Sequence, residues 1–280
     1  MTWISGGYQD WFSINRAQIQ FQLQINRRAS TLYQNFDDAA DQAAKLLYKE
    51  WGHRPLYLAL SGGLDSELVA RILVKNNIPF TPIILKIGKL NAIETWYAEY
   101  WCHINNFTPV ILEYSVEEMA KHTARLSAKL TQVRNYMMTT VLLAFEHVYR
   151  IGGHCVFSAG DINFDLDRKQ FYCAPLDFLS NIVDRGHHPT AFFMYTPELA
   201  LSYVYQFDIN QTEQYNKIVF YKVTPRPKIN YLTLLANTED YHNLYGKFYS
   251  LFKLEKDAFD YPKYWHWYGT KEQLVEQLQP

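Results

Sequence analysis

A short apolar run that ends in two glycines and passes at once into an amphipathic helix constrains the fold more than any other feature of this 280-residue chain. Residues 56–60 read LYLAL and lie between Pro55 and the sequence SGGLDS at residues 61–66. A short apolar run with such boundaries is typical of a buried strand. The next segment, residues 65–76, places four apolar side chains on one helical face: Leu68, Val69, Ile72 and Leu73. The junction predicts a strand, a tight glycine turn and a helix.

Strands and helices continue to alternate through the first half of the chain. Residues 36–51 have a helical apolar pattern, with Gly52 at the expected stop. Further segments follow: strands at 80–87, 109–113 and 154–157, and helices at 92–105, 116–126 and 133–150. Strands that alternate with helices predict an α/β fold in which a parallel sheet has helices on both faces.

The chain divides into three predicted regions. Residues 1–35 contain glutamines that alternate with apolar residues at 18–25, a period typical of a strand or an extended arm. Residues 36–180 form the predicted α/β domain. Beyond Gly160 the periodicity is weaker, so we expect residues 181–280 to form a mostly helical, aromatic-rich lobe. Its candidate helices lie at 197–205, 212–221 and 241–254.

Composition excludes several classes of protein. The hydrophobic fraction is 48% and the net charge is -1, so intrinsic disorder is not expected. Balanced charge, with 27 Lys+Arg and 28 Asp+Glu, disfavours a strongly basic nucleic-acid binder, although a local basic patch stays open. We find no apolar stretch of membrane-spanning length and no secretory signal. Three widely spaced cysteines favour a reducing cytosol over a disulfide scaffold, which predicts a cytoplasmic protein with no membrane partner.

The SGGLDS turn has the chemistry of an anion site. Gly62 and Gly63 allow a ligand to approach the main chain, and consecutive N–H groups at a helix N-terminus attract phosphate. Ser61 and Ser66 add hydroxyl donors, and the carboxyl end of a strand is where α/β sheets bind ligands. An acid beside a phosphate site suggests an intervening cation, so Asp65 is a candidate Mg²⁺ ligand. A simple helix-capping role for Asp65 stays open.

This hexapeptide resembles the SGGxDS pyrophosphate loop of the PP-loop (N-type) ATP pyrophosphatase superfamily. Leu64 makes it most similar to the synthetase domain of asparagine synthetase and its relatives. The resemblance implies bound ATP and Mg²⁺, with Asp65 as metal ligand and catalytic residue. The implied nucleotide contacts in this loop are Leu60, Ser61, Gly62, Gly63, Leu64, Asp65 and Ser66. An ordinary glycine-rich turn is the alternative. A second SGG, at residues 5–7, lacks the preceding strand and the Asp-Ser pair and is interpreted as a plain loop.

Two further segments extend the resemblance. In this family the strand after the loop helix contacts adenine at its end, which implies that Leu85, within residues 83–86, contacts the nucleotide. The family then has a helix that starts with acidic and aromatic residues, and residues 91–98 are similar to that helix start. Residues 156–161 (VFSAGD) occupy the place of the family's SGEGxDE turn. Ser158 and Gly160 carry over as nucleotide contacts. The Asp-Glu pair is missing, so the second metal acid is left open between Asp161 and Asp165.

A basic residue from the C-terminal half usually holds the leaving pyrophosphate in this superfamily. The best candidates are Arg226 and Lys228 in the sequence PRPK, because two prolines stiffen the segment and alternate residues point the same way. A fixed cation opposite a developing negative charge is useful in catalysis. A solvated basic loop is the alternative, and Lys169 is the next candidate.

The resemblance implies an ATP-dependent, AMP-forming carbon–nitrogen ligase that adenylates a carboxylate or similar oxygen and releases pyrophosphate. An amine substrate would then attack. Thr2 stands where a fused glutaminase has its nucleophilic cysteine, so we expect nitrogen from ammonia, another amine or a separate donor protein. The Walker A and GxGxxG motifs are absent, so the sequence gives no support for a kinase-type P-loop or a Rossmann dinucleotide site. Two alternatives stay open: a non-catalytic nucleotide-binding module, and a nucleic-acid-modifying enzyme with an aromatic stacking surface.

Overall fold

The described part of the chain folds around a parallel sheet. The computed structural model describes residues 3–15, 22–129, 136–158, 162–173, 189–212, 215–217, 219 and 266–280. Its strands are Trp3–Gly6 (β1), Phe12–Asn15 (β2), Gln22–Ile25 (β3), Leu56–Ala59 (β4), Thr81–Ile87 (β5), Val110–Tyr114 (β6), His154–Phe157 (β7), Ile162–Asp165 (β8), Gln170–Cys173 (β9), Thr190–Ala191 (β10) and His266–Gly269 (β11). Its helices are Phe36–Trp51 (α1), Leu64–Lys75 (α2), Ala92–Ile104 (α3), Val116–Lys129 (α4), Tyr136–Arg150 (α5), Pro197–Gln206 (α6) and Lys271–Leu278 (α7).

The central sheet has five strands in the order β10-β7-β4-β5-β6, and each neighbouring pair is parallel. Its inner strands are apolar and buried: Leu58 on β4, Ile84 on β5 and Val156 on β7 are fully inaccessible to solvent. Continuous burial of this kind occurs when helices cover both faces of a parallel sheet. The predicted α/β fold class is confirmed.

The crossover helices lie on opposite faces because the strand order reverses at β4. From β4 the chain moves through α2, β5 and α3 to β6, and it then returns through α4 and α5 to β7 on the other side of β4. Right-handed crossovers in opposite directions place α2 and α3 on one face and α4 and α5 on the other. The carboxyl ends of β4 and β7 therefore flank the topological switch point of the sheet, where such folds bind ligands.

The first helix shows how local signals set these elements. The side chain of Asn35 accepts a hydrogen bond from the backbone N–H of Asp38 at 2.8 Å, and Gly52 follows the last helical residue. Four small side chains share the buried face of α1: Ala39, Ala40, Ala43 and Ala44. Small residues permit close helix packing, and α1 packs against α6. No helix of the described residues has both the length and the apolar character needed to cross a membrane.

The N-terminal segment forms a sheet of its own. Strands β1, β2 and β3 pair antiparallel in that order. The indole N–H of buried Trp11 donates to the carbonyl of Met194 at 2.7 Å, which ties this sheet to the segment after β10. The interpretation of residues 5–7 as a plain loop is wrong, because Ser5 and Gly6 lie in β1. Their strand partners, Ser13 and Phe12, lie eight and six residues further along the chain. Serine and glycine are typical of turns, so the local pattern did not identify the strand.

A third sheet joins the middle of the chain to its C-terminus. It has the antiparallel order β11-β9-β8, with Ile162 and Phe164 buried on β8. Residues 162–165, which end in the candidate metal acid Asp165, form a strand and alternate between buried and partly exposed positions.

The predicted three-part division of the chain stays a prediction. Strand β10 extends the central sheet beyond residue 180, and α6 confirms the helix predicted at 197–205. Within the segment 212–221, residues 215–217 and 219 are helical. The helix predicted at 241–254 lies outside the described residues.

Candidate functional site

The SGGLDS segment leaves the carboxyl end of β4 at the switch point and enters α2. Leu60 is buried, and its N–H donates to the carbonyl of Ile83 at 2.9 Å, so the loop starts from a fixed position. Ser158 follows β7 directly, is half-buried, and lies at the same edge of the sheet. The topology thus brings together the ends of two of the three strands from which the sequence predicted nucleotide contacts.

Two serine hydroxyls stabilise the loop. The hydroxyls of Ser61 and Ser66 lie 3.1 Å apart, and Ser66 Oγ donates to the carbonyl of Gly63 at 3.1 Å. The N–H of Gly63 donates to Ser61 Oγ at 3.2 Å. Ser66 is buried while Ser61 and Gly63 are exposed, so one hydroxyl anchors the loop and the other faces solvent.

The two glycines have different roles. Gly62 has φ +91°, and a Cβ there would lie 1.9 Å from the carbonyl oxygen of Glu94 in the first turn of α3. Gly63 has φ −72°, and a Cβ there would meet only Ser61 Oγ, at 3.4 Å. Gly62 is thus required by the backbone angle and by the contact with α3, whereas Gly63 leaves space on the exposed side of the loop.

The most informative contact is an ion pair that the sequence did not predict. Lys217 Nζ lies 3.2 Å from Asp65 Oδ1 and 3.3 Å from Oδ2, and the two side chains are 11% and 29% exposed. Lys217 belongs to the helical residues that follow α6. A largely buried ammonium therefore lies at the mouth of the glycine loop and comes from the C-terminal half of the chain. The sequence predicted a cation from that half but named other residues.

The position of Lys217 is fixed by its neighbour. Asn216 is 2% exposed, and its Oδ1 accepts from the backbone N–H of Asp208 at 2.7 Å. Its Nδ2 donates to the carbonyls of Asp208 and Thr212, at 3.0 and 3.1 Å. One carboxamide thus closes the loop between α6 and Lys217. The sequence places Asn216 next to Lys217 in the helix predicted at 212–221, but no sequence pattern indicates that Asn216 is buried.

Among the remaining predicted residues, Leu64 is half-buried at the start of α2. The carbonyl of Leu85, near the end of β5, accepts a hydrogen bond from the side chain of Asn91 at 2.8 Å. Lys169, the second choice for the cation, donates to the carbonyl of Ile209 at 3.1 Å. Four predicted site residues lie outside the described part of the chain: Gly160, Asp161, Arg226 and Lys228.

The acidic side chains of the site show how the predicted Mg²⁺ could be held. In the part of the chain that the structure describes, no group of three or more His, Cys, Asp and Glu side chains could hold a metal ion. Asp165 Oδ1 accepts the N–H groups of Asp167 and Arg168, at 3.0 and 2.8 Å, and so supports the turn of its hairpin. Asp65 offers one carboxylate. A single carboxylate is compatible with Mg²⁺ that is held mainly by nucleotide phosphates, because Mg²⁺ in such sites needs only one or two protein carboxylates.

The half-buried carboxyl group of Glu94 is expected to affect the free energy of unfolding. Its side chain is half-buried in the first turn of α3, and burial raises its pKa. The folded protein then binds the proton more tightly than the unfolded chain, so ionised Glu94 destabilises the fold above the ordinary glutamate pKa. We expect Glu94→Gln to raise the free energy of unfolding at pH 7, with a gain that disappears as the pH falls below about 4.

Urea denaturation of the wild-type protein and the variant at pH 7 and at pH 3.5 measures this difference. Glu276→Gln, on the exposed face of α7, is the control and should show no such pH-dependent gain. An equal gain from Glu94→Gln at both pH values would contradict the electrostatic cause.

This chain is similar to several solved structures of known proteins. No family model matches the chain, and no curated protein matches it. The NH3-dependent NAD synthetase from Campylobacter jejuni, solved with nitrate, has a TM-score of 0.36 at 14% identity, over 78% of this chain and 94% of that chain. The NMN synthetase from Francisella tularensis has a TM-score of 0.37 at 14% identity, over 79% of this chain and 97% of that chain.

A third solved structure is a larger protein. The glutamine-dependent NAD+ synthetase from Acinetobacter baumannii, solved with ADP, has a TM-score of 0.37 at 12% identity, over 91% of this chain and 46% of that chain. None of the three is named as an asparagine synthetase, and the likeness of residues 61–66 to that family stays a prediction. At these identities and TM-scores, the chemistry of this chain has to be inferred from its own residues.

Proposed function

We propose that this chain is an ATP-dependent, AMP-forming ligase whose phosphate site is the loop of residues 61–66. One observation carries the proposal: the ammonium of Lys217 lies against Asp65, at the mouth of a glycine loop on the switch point of a parallel sheet. The loop offers backbone N–H groups and a helix N-terminus to an anion. The ammonium offers a fixed positive charge where negative charge would accumulate.

The reaction that this arrangement supports is adenylation followed by amide formation. A carboxylate oxygen of the acceptor attacks the α-phosphorus of ATP, and the bond from that phosphorus to the bridging oxygen breaks. Pyrophosphate leaves with the electron pair. An amine or ammonia then attacks the acyl carbon, loses a proton and displaces AMP. The nitrogen source is a small amine, free ammonia or a separate donor protein.

The residues contribute position and charge. The loop holds the β and γ phosphates as one leaving group, with Ser61 on its exposed side. Lys217 exchanges its contact with Asp65 for one with the departing oxygen. Asp65 would be the protein ligand of Mg²⁺, which would supply positive charge to neutralise the phosphates. These contributions lower the barrier by electrostatic stabilisation and by orientation of the reactants.

Chromatography of the spent nucleotide tests the bond that is cleaved. The chain is incubated with Mg²⁺–ATP and a panel of carboxylates and amines, and the products are separated. AMP with pyrophosphate supports the proposal, and ADP with free phosphate contradicts it. ATP binding without turnover across the panel favours the non-catalytic nucleotide-binding module. Turnover that requires RNA or DNA favours the nucleic-acid-modifying alternative.

Asp65→Asn tests the metal contact. A neutral amide is a poorer ligand for Mg²⁺ than a carboxylate, so we expect Mg²⁺–ATP to bind roughly tenfold more weakly, a loss of about 1.4 kcal/mol. Calorimetry with and without Mg²⁺ measures the effect. Asp165→Asn makes the same change on the other described candidate acid and is expected to leave the affinity unchanged. If Asp165→Asn weakens binding and Asp65→Asn does not, the two assignments are reversed.

A further inference from the structure

The last described helix begins with a lysine that contacts a distant part of the chain. Lys271 is the first residue of α7, where the partial positive charge of a helix N-terminus disfavours a cation. The residue is half-buried, and burial lowers its pKa. Its Nζ donates to the carbonyl of Phe207 at 2.8 Å. Helix polarity and burial both disfavour an ammonium here, so the bond to Phe207 is what stabilises it in this place.

The acceptor of this bond lies where α6 ends. The N–H of Phe207 closes the last turn of α6, and its ring packs against Phe164 of β8 and Phe171 of β9, with centroids 5.0 and 5.2 Å away. Phe207 is 0% exposed, so water does not reach its carbonyl. A lysine at the C-terminus of a helix is favourable for the helix dipole and for the last carbonyls. Lys271 therefore caps α6 in the interior.

A short turn joins the end of α6 to the lysine of the candidate site. Asp208 follows the capped carbonyl directly, and its N–H and its carbonyl both bond the carboxamide of Asn216, the residue before Lys217. The hydroxyl of Thr212 accepts from the N–H of Tyr215 at 3.2 Å, as a helix cap does. Because Asp208 is bonded to the residue before Lys217, a shift at the end of α6 also displaces Lys217.

Another lysine contacts the same turn at its surface. Lys169 Nζ donates to the carbonyl of Ile209 at 3.1 Å, but Lys169 is exposed and Ile209 is only half-buried. Water replaces a lost donor at an exposed carbonyl, so the loss of that bond has a small effect. A buried carbonyl that loses its donor is left unsatisfied, which is more costly and favours rearrangement. The two lysines thus make the same kind of bond to one turn and differ in burial.

We propose that Lys271 is a positioning residue that holds the end of α6 so that the ammonium of Lys217 lies against Asp65. The inference rests on the proposed function, which gives Lys217 its role at the departing pyrophosphate. Lys271 acts through the turn and through Lys217. The segment of β11 and α7 thereby contributes to the geometry of the glycine loop, although it follows that loop far along the chain.

Single-turnover release of pyrophosphate from Mg²⁺–ATP by the full chain, with the acceptor that yields AMP, tests this role. We expect Lys271→Met to lower the rate about tenfold, because a small displacement of a catalytic group has at least this effect. ATP affinity, measured by calorimetry, should change by less than about threefold. Lys271→Arg keeps a charged donor and should restore most of the rate. Lys169→Met is the matched control and should keep the wild-type rate.

A double variant distinguishes action through Lys217 from a general loss of stability. In a protein that already carries Lys217→Met, the further change Lys271→Met should lower the rate by no more than about twofold, because the group to be positioned is missing. Lys271→Ala covers the case in which Lys271→Met does not fold, since a smaller side chain lets water reach the carbonyl of Phe207. Its rate should fall in the same direction, because water does not fix that carbonyl in place.

Two results would overturn the inference and leave the proposed function intact. One is a folded Lys271 variant with the wild-type rate while Lys217→Met is slow. The other is a full tenfold further loss in the double variant, which would show that Lys271 acts independently of Lys217. Wild-type protein that releases no pyrophosphate, or a Lys217→Met protein that keeps the wild-type rate, would instead overturn the proposed role of the site and this inference together.

Discussion

Replacement of Gly62 by alanine is expected to lower the free energy of unfolding by about 2–6 kcal/mol. A side chain at φ +91° introduces backbone strain of about 1–3 kcal/mol. Its Cβ would lie 1.9 Å from the carbonyl oxygen of Glu94, so α3 has to shift, which adds about 1–3 kcal/mol. A loss of this size is a large fraction of the stability of a typical domain. Urea denaturation with a fitted slope measures it.

Gly63→Ala is the matched control for the fold and a direct probe of the phosphate site. Its φ of −72° suits alanine, and the new methyl group meets only Ser61 Oγ at 3.4 Å. We expect stability to change by less than about 1 kcal/mol, while the methyl group on the exposed side of the loop weakens ATP binding about tenfold or more. A stable Gly63→Ala protein with wild-type ATP affinity would contradict the assignment of this loop as the phosphate site.

The sequence predicted the elements whose signals are local. Helix α1 begins and ends where its capping asparagine, first-turn acids and Gly52 indicate, and β7 has the predicted bounds. Strands β9, β10 and β11 were missed, and β10 and β11 pair with segments more than 30 residues away in the sequence. Strands β1 and β2 were also missed, although they pair with each other across a short turn, because their serines and glycine are typical of loops. Strand β8 was missed because Asp165 was interpreted as a candidate metal ligand, although Ile162 and Phe164 alternate with Asn163 and Asp165.

In the candidate site too, features with local sequence signals were predicted and contacts between distant segments were not. The strand, the glycine turn and the helix at residues 56–75 were predicted because their signals are consecutive in the sequence, whereas the phosphate-binding role of residues 61–66 stays a prediction. Lys217 was not predicted, since its place beside Asp65 depends on the bend after α6 and on the buried side chain of Asn216. The contact between Asn91 and Leu85 was also not predicted, because an asparagine before a helix is most simply a cap. Contacts between distant segments are the part of the site that sequence patterns cannot supply.

The position of Lys217 leads to the second large prediction, that Lys217→Met lowers the rate of pyrophosphate release about 10²–10³-fold. A preorganised charge that meets charge developing in the transition state has an effect of this size. Methionine keeps the length and the apolar stem of lysine and removes only the ammonium. Because the ammonium contacts Asp65 in the free protein, ground-state ATP affinity should change much less than turnover, by about tenfold at most. Single-turnover kinetics and calorimetry separate the two quantities.

Lys169→Met is the control for this variant, because Lys169 was the other described candidate for the same role and its ammonium donates to the carbonyl of Ile209. We expect its rate to stay within about twofold of the wild-type rate, as for an exposed residue outside the site. Lys217→Arg keeps the charge but replaces a compact ammonium by a planar guanidinium, so it should restore only part of the rate. If Lys217→Met weakens ATP binding as much as turnover, the ammonium contributes to uniform substrate binding and does not act selectively on the transition state. If the rate falls in Lys169→Met and not in Lys217→Met, the cation of this site comes from the hairpin between β8 and β9, and the ion pair with Asp65 serves only the fold.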